Sequence, residues 1–452
     1  MERFIVAGGL VVTSTGRTLT NLLVEKGQIT AWIEDPETWE LPILNVQGNL
    51  VLPGVVDAHT HFQMASGDIS TVDDFIYGGQ LAASAGVTSI IDFIEPYPTQ
   101  DLREAIQARF TKVRGCPVDY QFHLVIPQRF ACRTDWFPLM DHYQLAAVKG
   151  FTTYREDGLC LDRRELEALL AWALDYNGLF TLHAEDDKLI SAETQKLRQA
   201  GKTQIAYFPK SRPGRSEEQA VQEFLSLSAG AVLPYFVHLS TQAALHAITV
   251  AQREKGQKVG WVETCPQYLV LDESAYDRED ADYYTVCPPL RTRSDQEALW
   301  QGIKEGLVDV VASDHCAFAV DMKRSNSWQA IRPGLPAIDA ILPVLVNEGI
   351  KKGRIEWEEL VRVTSENPAR LFRLKGKGGV TPGHDADFLV ISKKGSLEKQ
   401  NPSLQSKAGY SPFSPHYLER SWLRHVVRRG EFLLQDGKLS AAMSEGRFIP
   451  LT

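Results

Sequence analysis

Short apolar runs recur through the middle of the chain, each followed by a stretch with helical spacing. Eight can be read: VVDAHTHF from Val55, TSIIDF from Thr88, DYQFHLVI from Asp119, LAAVKGF from Leu145, LFTLHAE from Leu179, PYFVHLS from Pro234, KVGWVETC from Lys258 and VDVVASDH from Val308. Near-continuous hydrophobic runs are what parallel strands need when both faces are covered. Between them lie helical patterns such as DFIYGGQLAASAG, DLREAIQARF and RRELEALLAWALDYNG. Eight strand–helix units predict an α/β fold, a (β/α)8 TIM-like barrel. The ends differ. FIVAGGLVV, TNLLVEKGQITAWI and GNLVL at the start, and ADFLVI and LRHVVRRGEFLLQDGKL after about Gly376, are short strands with turns. Residues 1–52 and 376–452 are therefore expected to form one small β-sandwich around a barrel of residues 53–375, closed by the helix EELVRVTSENPARLFRL.

Composition narrows the class. With 44% apolar residues in 452, the chain can bury a core and is not disordered. No run approaches the roughly 20 apolar residues of a membrane-spanning helix, so no membrane association is expected. The net charge of −9 leaves no basic excess for nucleic acid. The six cysteines show no CxxC and no framework spacing, and MERFIVAGGLVV does not read as a secretory signal. Reduced thiols in the cytoplasm are the expectation.

The polar residues inside the apolar runs carry the chemistry. His59 and His61 alternate on the first strand and so share a face. Lys149, His183, His238 and Asp314 fall at the ends of the fourth, fifth, sixth and eighth runs. In a barrel, strand carboxyl ends line the active site. Singly, each has a plainer reading: a hydrogen-bonded core histidine, a paired lysine, a helix-capping aspartate. Together on one rim they need partners that a metal supplies. Imidazoles and a carboxylate suit two divalent cations, zinc first, with iron, manganese or nickel as alternatives. A lysine carboxylated by CO2 can bridge such a pair, ~3.5–4 Å apart, around a shared hydroxide. Asp314 is then placed to take the hydroxide's proton and return it to a leaving nitrogen.

Eleven motifs, in order, resemble the dihydropyrimidinase and hydantoinase family of cyclic amidohydrolases over nearly the whole chain. They are PGVVDAHTHFQM, TVDDFIYGGQLAASAGVTSIIDF, DYQFHLVI, KGFTTY, LHAED, VHLS, ETCPQYLVLD, CPPLRTR, SDHCAF, ENPARLF and HDADFLVI. The resemblance implies metal ligands at His59, His61, carboxylated Lys149, His183, His238 and Asp314. It implies hydrolysis of a small cyclic ureide to an N-carbamoyl amino acid, by a homo-oligomer that is usually a tetramer. Gln63 stands where dihydroorotases carry an arginine for the substrate carboxylate. Tyr154, five residues after Lys149, stands where hydantoinases place the phenol that steadies the oxyanion and where allantoinases usually lack it. Two positions depart from the family: Cys287 replaces a serine before PPLR, and Pro333 an asparagine before GLP. Both belong to segments expected to hold the ring through backbone groups, although Pro333 has no N–H to donate. Arg332 adds a charge at the pocket mouth or lies in solvent. The loop FQMASGD lacks the aromatic found after its methionine in hydantoinases that accept bulky side chains. Cys265 and Cys316 are expected to be packing residues. An allantoinase-like hydrolase and a non-catalytic scaffold are the alternatives; Tyr154 speaks against the first, the intact ligand set against the second.

Overall fold

In a computed structural model the structure describes residues 2–67, 69–97, 100–228, 230–393 and 404–452. All eight apolar runs form strands: β1 (Val55–Thr60), β2 (Val87–Ile94), β3 (Asp119–Val125), β4 (Ala147–Phe151), β5 (Phe180–His183), β6 (Tyr235–Phe236), β7 (Trp261–Thr264) and β8 (Val310–Val311). They are paired in sequence order from β1 to β8, all parallel. The seam between β8 and β1 is stitched by His61 N–H to His315 O at 2.8 Å. Ser313 N–H adds a bond to the Asp57 carboxylate at 2.9 Å. The barrel is thus nearly closed.

Local chemistry sets the helices around it. Asp74 caps helix Phe75–Ser84 by accepting from Tyr77 N–H. Asp162 with Glu165, and Thr292 with Asp295, form reciprocal capping boxes on Arg163–Asp175 and Arg293–Glu305. Helix Phe75–Ser84 presses on the first strand's exit: a methyl group at Gly78 would sit 2.2 Å from the Phe62 ring. The expected closing helix runs from Trp357 to Leu371, with a π-turn at Arg362–Glu366 in its middle.

Both chain ends join one nine-stranded, mostly antiparallel sheet, where Leu50–Pro53 pairs with Phe388–Ile391. Alternation splits its faces. Val51, Phe388, Val390 and Val427 enter the sheet's own apolar core. Leu50, Leu52, Leu389, Ile391 and Val426 enter the core shared with the barrel helices. Below the barrel, buried Lys377 lies 2.6, 2.9 and 2.7 Å from Asp119, Asp385 and Asp387. That carboxylate triad could hold a cation, but its cation is this lysine. Later segments return to the barrel. Ser406 and Lys407 bond the Asp73 carboxylate at the mouth, and Ile449 N–H donates to Tyr120 O across the floor at 2.9 Å. No helix among the described residues is long and apolar enough to cross a membrane.

Candidate metal centre

The six candidate ligands project from the carboxyl-terminal rim. His59 and His61 lie at the end of β1, Lys149 in β4, and His183 ends β5. His238 and Asp314 fall just beyond β6 and β8. His238 (φ +38°) and Asp314 (φ +51°) take left-handed backbone, as do Gln63 (φ +46°) and Tyr154 (φ +67°). Such positions cost about 1–3 kcal/mol each and persist where surroundings over-determine them. Here they do. The Glu263 carboxylate accepts from His238 N–H at 3.0 Å. Beyond Asp314, the His315 ring accepts from Ala337 and Ile338 N–H, both at 3.1 Å, and pairs with Asp73.

His59 Nε2 and His61 Nε2 approach the same Asp314 oxygen at 3.2 and 3.3 Å. These ligand atoms lie within 4.8 Å of one another, a group able to hold one cation. The outer nitrogens face carboxylates: His59 Nδ1 is hydrogen-bonded to Glu263 at 2.7 Å, and His61 Nδ1 lies 3.1 Å from Glu95 without a well-aligned hydrogen bond. Carboxylates behind ligating imidazoles fix tautomer and ring direction. The other half of the rim repeats the pattern. His183 Nε2 meets Glu185 at 2.6 Å, which leaves Nδ1 available. Arg212 holds Glu185 in turn. The His183 and His238 rings are 4.5 Å apart, and His238 Nδ1 is buried with no protein partner. Lys149 Nζ sits between Phe93 and Phe151, 5.6 and 5.1 Å from their ring centroids. A buried histidine nitrogen without a partner, and two imidazoles converging on one carboxylate oxygen, fit a pair of divalent cations.

Most charge states agree with that use, and His61 is the exception: against the downward push of burial, Asp314 and Glu95 raise its imidazole to about 10, the protonated form, which must lose its proton to bind a cation. Burial pushes His59 and His238 well below the ordinary imidazole value, so both are neutral and able to bind a cation. Burial alone would raise Asp314, but His59 and His61 outweigh it and keep the carboxyl below its usual range. Burial lowers the Lys149 amine to about 8 against the opposing pull of Glu263 and Asp314.

Tyr154 comes to this rim with its ring 5.2 Å from His183 and the Arg212 guanidinium 5.0 Å over its face. Cys287 lies near the phenol: burial raises the proton affinity of both groups, and Cys287 raises the phenol's further while Tyr154 lowers the thiol's. Cys287 precedes a cis peptide to Pro288. Pro333 is half-buried between Arg332 and Gly334, and Gly334 N–H donates to Thr285 O at 2.9 Å. The Arg332 side chain is exposed and reaches toward Gly67 in the loop after β1. Cys265 and Cys316 are buried, their thiols raised far above the ordinary value by burial, as packing residues would be.

Sequence reasoning missed the supporting carboxylates. Asp57 and Glu263 sit in the same apolar runs as the ligands and carry the same signal, polar residues at positions that should be apolar. Glu185 closes the run LFTLHAE and carries that signal too, whereas Glu95 and Arg212 lie outside the runs, where no pattern marks them. His123, also inside a run, is a core residue: its ring packs between Phe93 and Phe372 and its Nε2 meets Ala58 O at 3.1 Å.

The barrel and its rim define a member of the amidohydrolase family, to which the chain belongs; residues 50–411 match that family. A D-phenylhydantoinase of Escherichia coli O81 (strain ED1a) is 35% identical, covering 99% of this chain and 98% of the relative. Among solved structures, dihydropyrimidinase from Brevibacillus agri superposes with a TM-score of 0.90 at 28% identity, covering 100% and 99% of the two chains. D-hydantoinase from Bacillus sp. AR9 gives 0.89 at 30%, covering 99% of each.

Proposed function

We propose that the protein hydrolyses the cyclic amide bond of a hydantoin or dihydropyrimidine ring, giving an N-carbamoyl amino acid. The observation that carries this reading is the convergence of His59 and His61 on Asp314, with carboxylates behind both rings, in a chain similar over its full length to hydantoinases. His59, His61, Lys149, His183, His238 and Asp314 would hold two divalent cations, zinc best matching imidazole and carboxylate donors. Bound there, such cations would supply Lewis acidity for the attacked carbonyl and would lower the pKa of a bound water to about 7.

The chain's own groups do the rest. Lys149 has an amine pulled toward neutrality by burial. It attacks CO2 through Nζ and sheds a proton, and the resulting carbamate offers two oxygens as ligands. Asp314 takes the proton of the attacking water and delivers it to the leaving ring nitrogen. Tyr154 Oη donates to the carbonyl oxygen as charge develops on it. The segments carrying Cys287 and Pro333 frame the ring. A cytoplasmic homotetramer acting on a small cyclic ureide completes the reading; sedimentation equilibrium tests the assembly.

The deciding experiment incubates purified protein with zinc and bicarbonate and follows ring opening of dihydrouracil, hydantoin, allantoin and dihydroorotate by mass spectrometry. Turnover of hydantoin or dihydrouracil is expected. No turnover of any ring by protein carrying two metal ions overturns the reading. In Lys149→Ala, paired metal should be lost, and two tightly held ions would refute the bridging role.

A further inference from the structure

Lys323 ends the short helix Val320–Lys323 and is completely buried. Every oxygen it bonds is neutral. Its three N–H groups face four oxygens, Thr285 O at 2.8 Å, Thr285 Oγ1 at 2.7 Å, Arg332 O at 3.0 Å and Gly334 O at 3.0 Å, so one hydrogen is shared between two of them. A buried ammonium without a counter-ion is expensive, and is tolerated only where its hydrogens find partners. If filling space were the need, an apolar side chain of similar length would serve with less strain on the fold.

The four oxygens come from two segments that are remote in sequence. Thr285 stands two residues before Cys287, and Arg332 and Gly334 flank Pro333. Gly334 is locked from its other side as well. At φ +147° its Cβ position lies 2.6 Å from Cys316 O, two residues after Asp314. Tyr410 Oη reaches Gly334 O at 3.4 Å. The ammonium therefore sits where it bonds both segments at once, and Gly334 in turn packs against the segment just after Asp314.

We propose that Lys323 is a positioning residue for substrate recognition, clamping Thr285–Cys287 and Arg332–Gly334 at one separation so that their backbone groups meet the ring imide together. The inference rests on the ring-hydrolase reading, in which those two segments frame the substrate. It explains how Pro333 is accommodated: with an N–H missing there, the segment's orientation is set by the carbonyls on either side of it, both bonded to Lys323.

Two measurements on Lys323→Met and Thr285→Val test it. In steady-state kinetics with hydantoin, Lys323→Met should raise KM about 10-fold or more while kcat stays within about 3-fold and both metal ions are retained. Thr285→Val, which removes one acceptor and keeps shape, should raise KM by about 3-fold. An unchanged KM in metal-loaded Lys323→Met overturns the proposal, as does a fall in kcat alone. If Lys323→Met does not fold, an unchanged KM in Thr285→Val overturns it. Hydrogen exchange read by mass spectrometry serves independently of turnover. Exchange should quicken in both segments of the variant and not around His59. Unaltered exchange in either segment refutes the clamp even if no ring tested is a substrate, an outcome that would count against the ring-hydrolase reading alone.

Discussion

Glu263 shows what a single side chain contributes to the rim. Its carboxylate receives His59 Nδ1 at 2.7 Å, His238 N–H at 3.0 Å and Tyr235 Oη at 2.8 Å, so it orients one candidate ligand's ring and another's backbone. Glu263→Gln keeps the shape and loses the charge behind His59. Zinc affinity should fall about 10–100-fold, measured by competition with a chromogenic chelator. Tyr154→Phe removes a hydroxyl from a residue otherwise held by stacking. It should lower kcat about 10²–10³-fold with metal content unchanged. The six ligand candidates were legible because each interrupts an apolar run, and Glu263 was equally legible by that rule. Lys323 was not. It ends a four-residue helix, and its meaning depends on carbonyls contributed by residues about 40 positions before it and about 10 after it, which no local pattern encodes.

At the scale of elements, periodicity revealed the order and kind of the barrel strands but overstated some lengths. PYFVHLS yields only Tyr235–Phe236 as regular strand, because His238 turns into left-handed backbone to face the site. Nothing in EELVRVTSENPARLFRL, read only as one helix, marks the π-turn in its middle. Close approach between elements was likewise invisible: Gly78 reads as a weak helix residue, yet its missing Cβ is what lets helix Phe75–Ser84 seat against Phe62, the residue after His61. Gly78→Ala should overpack that contact and destabilise the fold by about 1–3 kcal/mol, seen as a lower Tm. Displacing Phe62 should also weaken metal retention, whereas an alanine on the solvent side of the same helix should do neither.

For the molecule as a whole, the cluster around Lys377 ties the barrel floor to the terminal sheet, since Asp119 begins β3 while Asp385 and Asp387 precede the strand Phe388–Ile391. Burial alone would raise the Asp119 carboxyl, but Lys377, Arg429 and Arg428 hold it below its ordinary value. A depressed folded pKa contributes stability above the unfolded carboxylate value, about 3.9, which is lost as pH falls through the lower folded value. Asp119→Asn should therefore cost about 3–5 kcal/mol at neutral pH. The gap from the parent protein should narrow below about pH 4, as urea midpoints across pH would record. The composition and the β-rich ends indicated that two regions exist; this junction joins residues 258 positions apart and could not be read from either. The barrel floor has a further consequence, in the order of synthesis. Gln121 Nε2 bonds Ile449 O across 328 residues, and Gly446 N–H bonds Cys116 O. During translation the underside of the barrel must wait, uncovered, until nearly all the rest of the chain has left the ribosome. The apolar side chains that pack against Ile449 in the folded protein have no cover until then.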